Sequence, residues 1–144
     1  MFDILLLEQE FQYLNYFKRS VCKIDLEDLN EKWKHPLVID MKEKIQDQYG
    51  VRVKGVFVNL YNSGDDYAPY HKDSYENING VFMVSIGGSR EFLTKNDETN
   101  KITKYLLEDG DLLFFNNHFN NIHKHSIPKR KKMNDKRISV VYYV

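Results

Sequence analysis

The chain has a single cysteine, Cys22, in 144 residues, so no disulfide can form within it. One isolated thiol fits a reducing compartment. Net charge is also missing: 21 Lys and Arg are balanced by 21 Asp and Glu. Bulk charge therefore does not direct the whole chain toward a polyanion. No apolar run approaches the length of a membrane span. The apolar start, Met1-Phe2-Asp3-Ile4-Leu5-Leu6-Leu7, lacks the basic segment and small-residue cleavage site of a secretory signal. Internal repeats, low-complexity tracts and obvious linkers are absent as well. These absences lead us to expect a monomeric intracellular protein, cytoplasmic or nuclear, with no membrane partner.

What is present is core material: 42% of residues are hydrophobic and 14% aromatic. That supports one domain over residues 1–144, with 1–35 a short N-terminal extension or minimal lid and 36–144 the core. In the first part, Phe11, Leu14 and Phe17-Lys18 suggest a short helix. Leu26, Leu29 and Trp33 suggest another, with Asp25 as its cap. Pro36 suits a first helical position; Leu37, Met41, Ile45 and Tyr49 then recur every four residues until Gly50.

From Val51 the pattern is that of strands. Val56, Val58 and Leu60 share one face, and Phe57, Asn59 and Tyr61 the other. Strands are expected at Gly80–Gly87, Arg90–Thr94, Thr103–Leu107, Leu112–Phe115 and Arg137–Tyr143, separated by turn-forming tracts such as Asn62-Ser63-Gly64-Asp65-Asp66. Short strands in series, with a helix outside, predict a mostly β protein with flanking helices (α+β). The architecture expected is a double-stranded β-helix, or jelly roll.

His71 and Asp73 stand two apart in extended chain, so their side chains point the same way and could share a metal ion. A downstream histidine, His123 or His125, could complete two histidines and one carboxylate, a donor set that leaves metal positions open. Arg137 and Ser139 share a face of the last strand. A buried arginine there needs an anionic partner that its own strand face does not offer. A small dicarboxylate would serve, through a bidentate fork. Asn59 and Tyr61 could add neutral hydrogen bonds.

Taken in order, Asn59-x-Tyr61, His71-x-Asp73, Val84-Ser85-Ile86-Gly87, Arg90-x-Phe92, Glu108-Asp109-Gly110-Asp111-Leu112-Leu113, His125-Ser126-Ile127-Pro128 and Arg137-x-Ser139 span about residues 37–144. This ordered set resembles the AlkB-like 2-oxoglutarate and Fe(II)-dependent dioxygenases. The resemblance implies Fe(II) on His71, Asp73 and His125, with 2-oxoglutarate and O2 as cosubstrates. It implies that Arg137 pairs with the distal carboxylate of 2-oxoglutarate, with Asn59, Tyr61 and Ser139 alongside. It also implies oxidative demethylation of alkylated bases in DNA or RNA, with single-stranded or flipped-out methylated nucleic acid as partner.

Tyr70, Ser74, Tyr75 and Arg90 are the expected substrate-side residues, with Lys129, Arg130 and Lys131 of the basic run 129–132 contacting phosphates. Tyr67 and Phe82 are further stacking or packing candidates, and His35, His118 and His123 surface or neighbouring groups. The alternatives are the same chemistry on a protein or small molecule, and a non-catalytic jelly-roll binding module. The family's closing pattern Arg-x-Asn-x-Thr-x-Arg is here Arg137-x-Ser139-x-Val141-x-Tyr143. Ser74 and Tyr75 follow Asp73 where nucleotide-acting members often carry an acid.

Overall fold

A computed structural model of the chain describes residues 12–14, 18–24 and 36–144. Among these are ten strands and two helices. In order they are β1 (Gln12–Leu14), β2 (Arg19–Ile24), α1 (Pro36–Tyr49), β3 (Gly55–Tyr61), β4 (Ala68–His71) and β5 (Gly80–Gly87). Then come β6 (Arg90–Asn96), β7 (Ile102–Leu107), β8 (Leu112–Asn116), α2 (Asn117–Ile122), β9 (His123–Ile127) and β10 (Arg137–Tyr143).

The strands form a six-stranded sheet ordered β1-β2-β3-β10-β5-β8 and a four-stranded sheet ordered β4-β9-β6-β7. Every pairing is antiparallel. This is the expected double-stranded β-helix, with α1 outside it.

Strand alternation divides the large sheet cleanly. On one face Val56, Val58 and Leu60 of β3, Phe82 and Ile86 of β5, and Ile138, Val140 and Tyr142 of β10 pack against Val38 and Ile45 of α1. On the other face Tyr61, Val81, Met83 and Val141 meet Ala68, Phe92, Leu107 and Ile127, which come from the small sheet. The second face encloses the site.

The stripe that α1 buries is Val38, Met41 and Ile45, not the four-residue series through Leu37. Four residues advance a helix by about 400°, so a strict four-residue series drifts round the axis, whereas steps of three and four stay on one face. Tyr49, at the end of the series, is 47% exposed, its ring 5.0 Å from that of Phe82. Gly50 ends α1 at φ +64, its N–H donating to the Gln46 carbonyl at 2.9 Å. The Tyr142 hydroxyl donates to the Val38 carbonyl at 2.9 Å and ties helix to sheet.

The expected helix over Phe11, Leu14 and Phe17-Lys18 is corrected. Gln12–Leu14 is a strand, Lys18 lies in a turn at φ +58, and Arg19–Ile24 pairs along β3. The open edge of β3 supplies backbone partners that outweigh a weak local helical spacing. Residues 19–24, expected within an extension, are therefore part of the main sheet. The expected helix at Leu26, Leu29 and Trp33, with Asp25, falls outside the described residues, as does His35. The short helix α2 was not expected. It is capped by the Asn116 side chain, which accepts from the Phe119 N–H at 2.8 Å.

Candidate metal centre

Strand β4 delivers His71 directly opposite His125 of β9, in register. Facing positions on antiparallel strands bring side chains within about 5 Å. The two rings lie 4.3 Å apart. Asp73, two residues beyond His71, closes the group. Its Oδ1 is 3.7 Å from His71 Nε2 and its Oδ2 is 3.5 Å from His125 Nε2. All three potential ligand atoms fall within 4.8 Å of one another.

His71 Nδ1 donates to the Pro69 carbonyl at 2.7 Å, since a carbonyl only accepts. That leaves the Nε2 lone pair facing the cluster. His125 is buried between Phe92, at 5.3 Å, and Phe115, at 5.2 Å. Burial, countered by Asp73 and aided by His71, pushes its pKa down to about 4. Burial acts to raise the Asp73 carboxyl, but the nearby His71, with His125 and Arg19, outweighs it and holds the pKa below the usual value. One carboxylate and two imidazole rings, their potential ligand atoms within 4.8 Å of one another, form a donor set suited to Fe(II). His123 precedes His125 by two on the same strand face but is turned away, stacked on Phe119 at 3.8 Å and 9°.

The cluster opens on a cavity of about 720 Å³. Asn59, Tyr61, Tyr70, Ser74 and Tyr75 line it, with apolar walls from Phe57, Met83, Phe92, Ile127 and Val141. Arg137 lies beneath Tyr61, its guanidinium carbon 5.3 Å from the ring centre, and is fully buried. Its Nη2 donates to Ser85 Oγ at 3.0 Å and approaches Met83 Sδ at 3.7 Å, whereas Nε and Nη1 have no partner. Burial pushes its pKa down to about 10, so it stays charged at neutral pH. Two buried donors on a cation without an acid fit a carboxylate group of 2-oxoglutarate. Ser139 is fully buried and reaches the cavity through Asn59, whose Nδ2 donates to Ser139 Oγ at 3.1 Å.

Several substrate-side expectations meet a different structure. Arg90 is 1% exposed and does not line the cavity. Its guanidinium donates to the carbonyls of Ser63, Asp66 and Pro128 at 3.2, 2.9 and 2.9 Å, pinning two loops together. Arg130 is engaged by Glu91, from Nε at 2.7 Å and Nη2 at 2.5 Å, and Lys129 lies 3.6 Å from Asp65. Lys131 is exposed, and none of the basic run lines the cavity. Phe82 packs on the α1 side of the sheet, Tyr67 lies off the cavity, and His118 is exposed. Tyr143 stacks on Tyr75 at 4.8 Å and 8° at the cavity wall.

Two contributors escaped the sequence reading. Asn120 of α2 is 4% exposed; its Oδ1 accepts from the Asp73 N–H at 3.1 Å, and its Nδ2 donates to the Asp73 carbonyl at 2.8 Å. Arg19 of β2 lines the cavity and donates from Nε to Asn59 Oδ1 at 2.5 Å. Neither carries a local signal, because both act across strands distant in sequence.

Residues 19–142 match the family model of the 2OG-Fe(II) oxygenase superfamily. The chain is 29% identical over 110 residues to the mimivirus protein R406, covering 74% of this chain and 58% of that one. It is 23% identical over 118 residues to the bovine DNA oxidative demethylase ALKBH2, covering 74% of this chain and 42% of the relative. It thus spans about half the length of the curated relatives it matches. In structure it is similar to OsALKBH1, with a TM-score of 0.70 at 17% identity over 99% of this chain and 91% of the other. The match of the family model across nearly the whole folded region, together with a His-Asp-His cluster and a buried arginine short of an acid, means that the chain belongs to the 2OG-Fe(II) oxygenase superfamily, with AlkB-like relatives.

Proposed function

We propose that this chain is an oxygenase core that demethylates alkylated bases in DNA or RNA. In this reading His71, Asp73 and His125 hold Fe(II), while Arg137, Tyr61, Asn59 and Ser139 hold 2-oxoglutarate. The observation that carries it is the position of the aromatic rim. Tyr70 and Tyr75 are 39% and 36% exposed, Tyr75 lies flat on Tyr143, and all three line the cavity that holds the metal cluster. Exposed tyrosine rings beside an opening provide faces on which a planar base can stack. A volume of about 720 Å³ lies within the range of small-molecule and cofactor sites. The base must leave its stack to reach a recessed cluster. The bovine relative's name, DNA oxidative demethylase, supports the same substrate class.

Fe(II) with 2-oxoglutarate and O2, the cofactors of this family, supplies oxidation of a C–H bond. The chain's own residues do the positioning. Asp73 contributes the negative charge that a divalent cation needs, and the Pro69 carbonyl fixes the His71 tautomer. Arg137 offers its two spare donors to a carboxylate. Met83, Phe92, Ile127 and Val141 keep that end of the cavity dry. Oxidation of an N-methyl group gives a hydroxymethyl amine, which releases formaldehyde and the bare nitrogen.

The test is succinate and formaldehyde release with Fe(II), 2-oxoglutarate and O2, with and without an N-methylated single-stranded oligonucleotide. Stimulated turnover with formaldehyde supports the reading. Turnover that the oligonucleotide leaves unchanged points instead to a protein or small-molecule substrate. The engagement of Arg130 by Glu91 and of Lys129 by Asp65 favours that second reading, because it removes free charge from the loop expected to hold phosphates.

A further inference from the structure

Lys129 and Arg130 of the basic loop are taken up by Asp65 and Glu91, but a second basic surface lies on the outer face of the four-stranded sheet. Alternation turns His123, His125 and Ile127 of β9 one way and leaves Lys124 on the other side. Lys124 stands directly opposite Lys95 of β6. Beside Lys95, β7 presents Ile102, and one row along it presents Lys104 next to Leu93. Like charges set directly opposite on neighbouring strands repel unless an acid lies between them. The acids of this face are already committed. Asp97 accepts from Lys72 Nζ at 2.5 Å, and Glu91 holds Arg130 Nη2 at 2.5 Å and Lys104 Nζ at 3.3 Å. Among the described residues, neither Lys95 nor Lys124 has an acid within ion-pair reach.

This surface is continuous with the cavity that holds the metal cluster. Lys72 lines the cavity and, besides Asp97, donates to the Asn121 carbonyl near the end of α2. Lys124 immediately precedes His125, and Tyr70 stands at the rim on β4, the strand beside β9. Successive strands are about 5 Å apart, so the rim, Lys124 and Lys95 follow one another across the sheet. We propose that the outer face centred on Lys95 and Lys124 carries the phosphates of the single strand whose methylated base enters the cavity. An anion seated over the opposed lysines removes their repulsion, and a polymer with a charge at every step fills the row. This assignment rests on the nucleic-acid reading above and adds the surface on which the strand lies.

The test is the salt dependence of binding of an N-methylated single-stranded oligonucleotide to the protein loaded with Mn(II) and 2-oxoglutarate, read by fluorescence anisotropy. Each phosphate contact on a single strand adds about 0.7 to the log–log slope. Lys95→Gln with Lys124→Gln is expected to flatten the slope by about 1.4, and each single change by about 0.7. Lys95→Arg with Lys124→Arg keeps both charges and is expected to keep the slope. Lys42→Gln with Lys44→Gln removes the same two charges from α1, on the far side of the other sheet, and is expected to leave the slope unchanged. Because the double glutamine change also relieves the repulsion, its melting temperature is expected to be no lower than that of wild type.

A slope left unchanged by the Lys95 and Lys124 changes overturns the proposal. Equal flattening by the α1 changes also overturns it, since the effect would then belong to net charge and not to a surface. Should the double variant fold poorly, the two single variants decide the matter by the same criterion. Turnover of wild type stimulated by the oligonucleotide, with the slope unmoved in the variants, would sink this surface and leave the nucleic-acid reading standing. A wild type that neither binds the oligonucleotide nor is stimulated by it would sink both.

Discussion

Arg137→Met tests the site with two opposite effects. The guanidinium is fully buried, with one oxygen and one sulfur for partners and two donors left over. Without cosubstrate that arrangement costs stability, because a buried ion lacking its counter-charge is expensive. Methionine fills nearly the same length without a charge. Replacing a buried ion by an apolar side chain is often stabilising by about 1–4 kcal/mol, and the stranded Ser85 hydroxyl takes back about 1 kcal/mol. We therefore expect the cosubstrate-free variant to melt no lower than wild type and up to about 9 °C higher, from a net gain of about 0–3 kcal/mol in a domain of this size.

Binding should move the other way. Losing both spare donors on a charged group is expected to raise the 2-oxoglutarate dissociation constant by about a hundredfold or more. Pyruvate affinity should change little. Differential scanning fluorimetry of the metal-loaded protein, with and without 2-oxoglutarate, reads both effects together. A melting temperature that falls by about 4 °C or more would make Arg137 a structural residue and refute the argument, as would unaltered 2-oxoglutarate affinity.

Asn120→Ala removes both hydrogen bonds to the Asp73 backbone; Mn(II) affinity is expected to fall by about tenfold or more, measured by calorimetry. Tyr142→Phe strands the buried bond to the Val38 carbonyl, so urea unfolding should show a loss of about 1–2 kcal/mol with metal affinity intact. In the basic loop, Lys131→Gln with Lys132→Gln should flatten the salt dependence of oligonucleotide binding by up to about 1.4 in log–log slope if both lysines touch phosphate on a single strand. Arg130→Gln should change that slope little, since Glu91 already neutralises it. A slope unmoved by the double change would assign the whole run to solvent.

The local pattern was legible wherever one strand or one helix decides it. Arg137–Tyr143 is a strand with the expected faces because alternation is a property of the extended backbone itself. Phe57, Asn59 and Tyr61 turn inward for the same reason, opposite Val56, Val58 and Leu60. His71 and Asp73 share a side by the same rule, so two of the three residues of the metal cluster could be read from two nearby positions.

The remainder depended on pairings between distant segments. Strand parity does not separate His125 from His123, two residues apart on one strand; the resemblance carried by His125-Ser126-Ile127-Pro128 points to His125, and register with His71 and the stacking of His123 on Phe119 place the two differently. The roles of the arginines were likewise invisible one at a time. Arg90 and Arg130 looked like substrate contacts until loop carbonyls and Glu91 took up their donors. Arg19 looked like part of an extension until β2 joined β3 and carried it into the cavity. The amino-acid sequence by itself determined the strand faces, the α1 span and the inventory of metal-binding side chains, because these follow from short-range backbone periodicity. Only the tertiary structure decided how His125 comes to face His71 and which guanidinium lines the cavity, because antiparallel register and burial are set by residues tens of positions away.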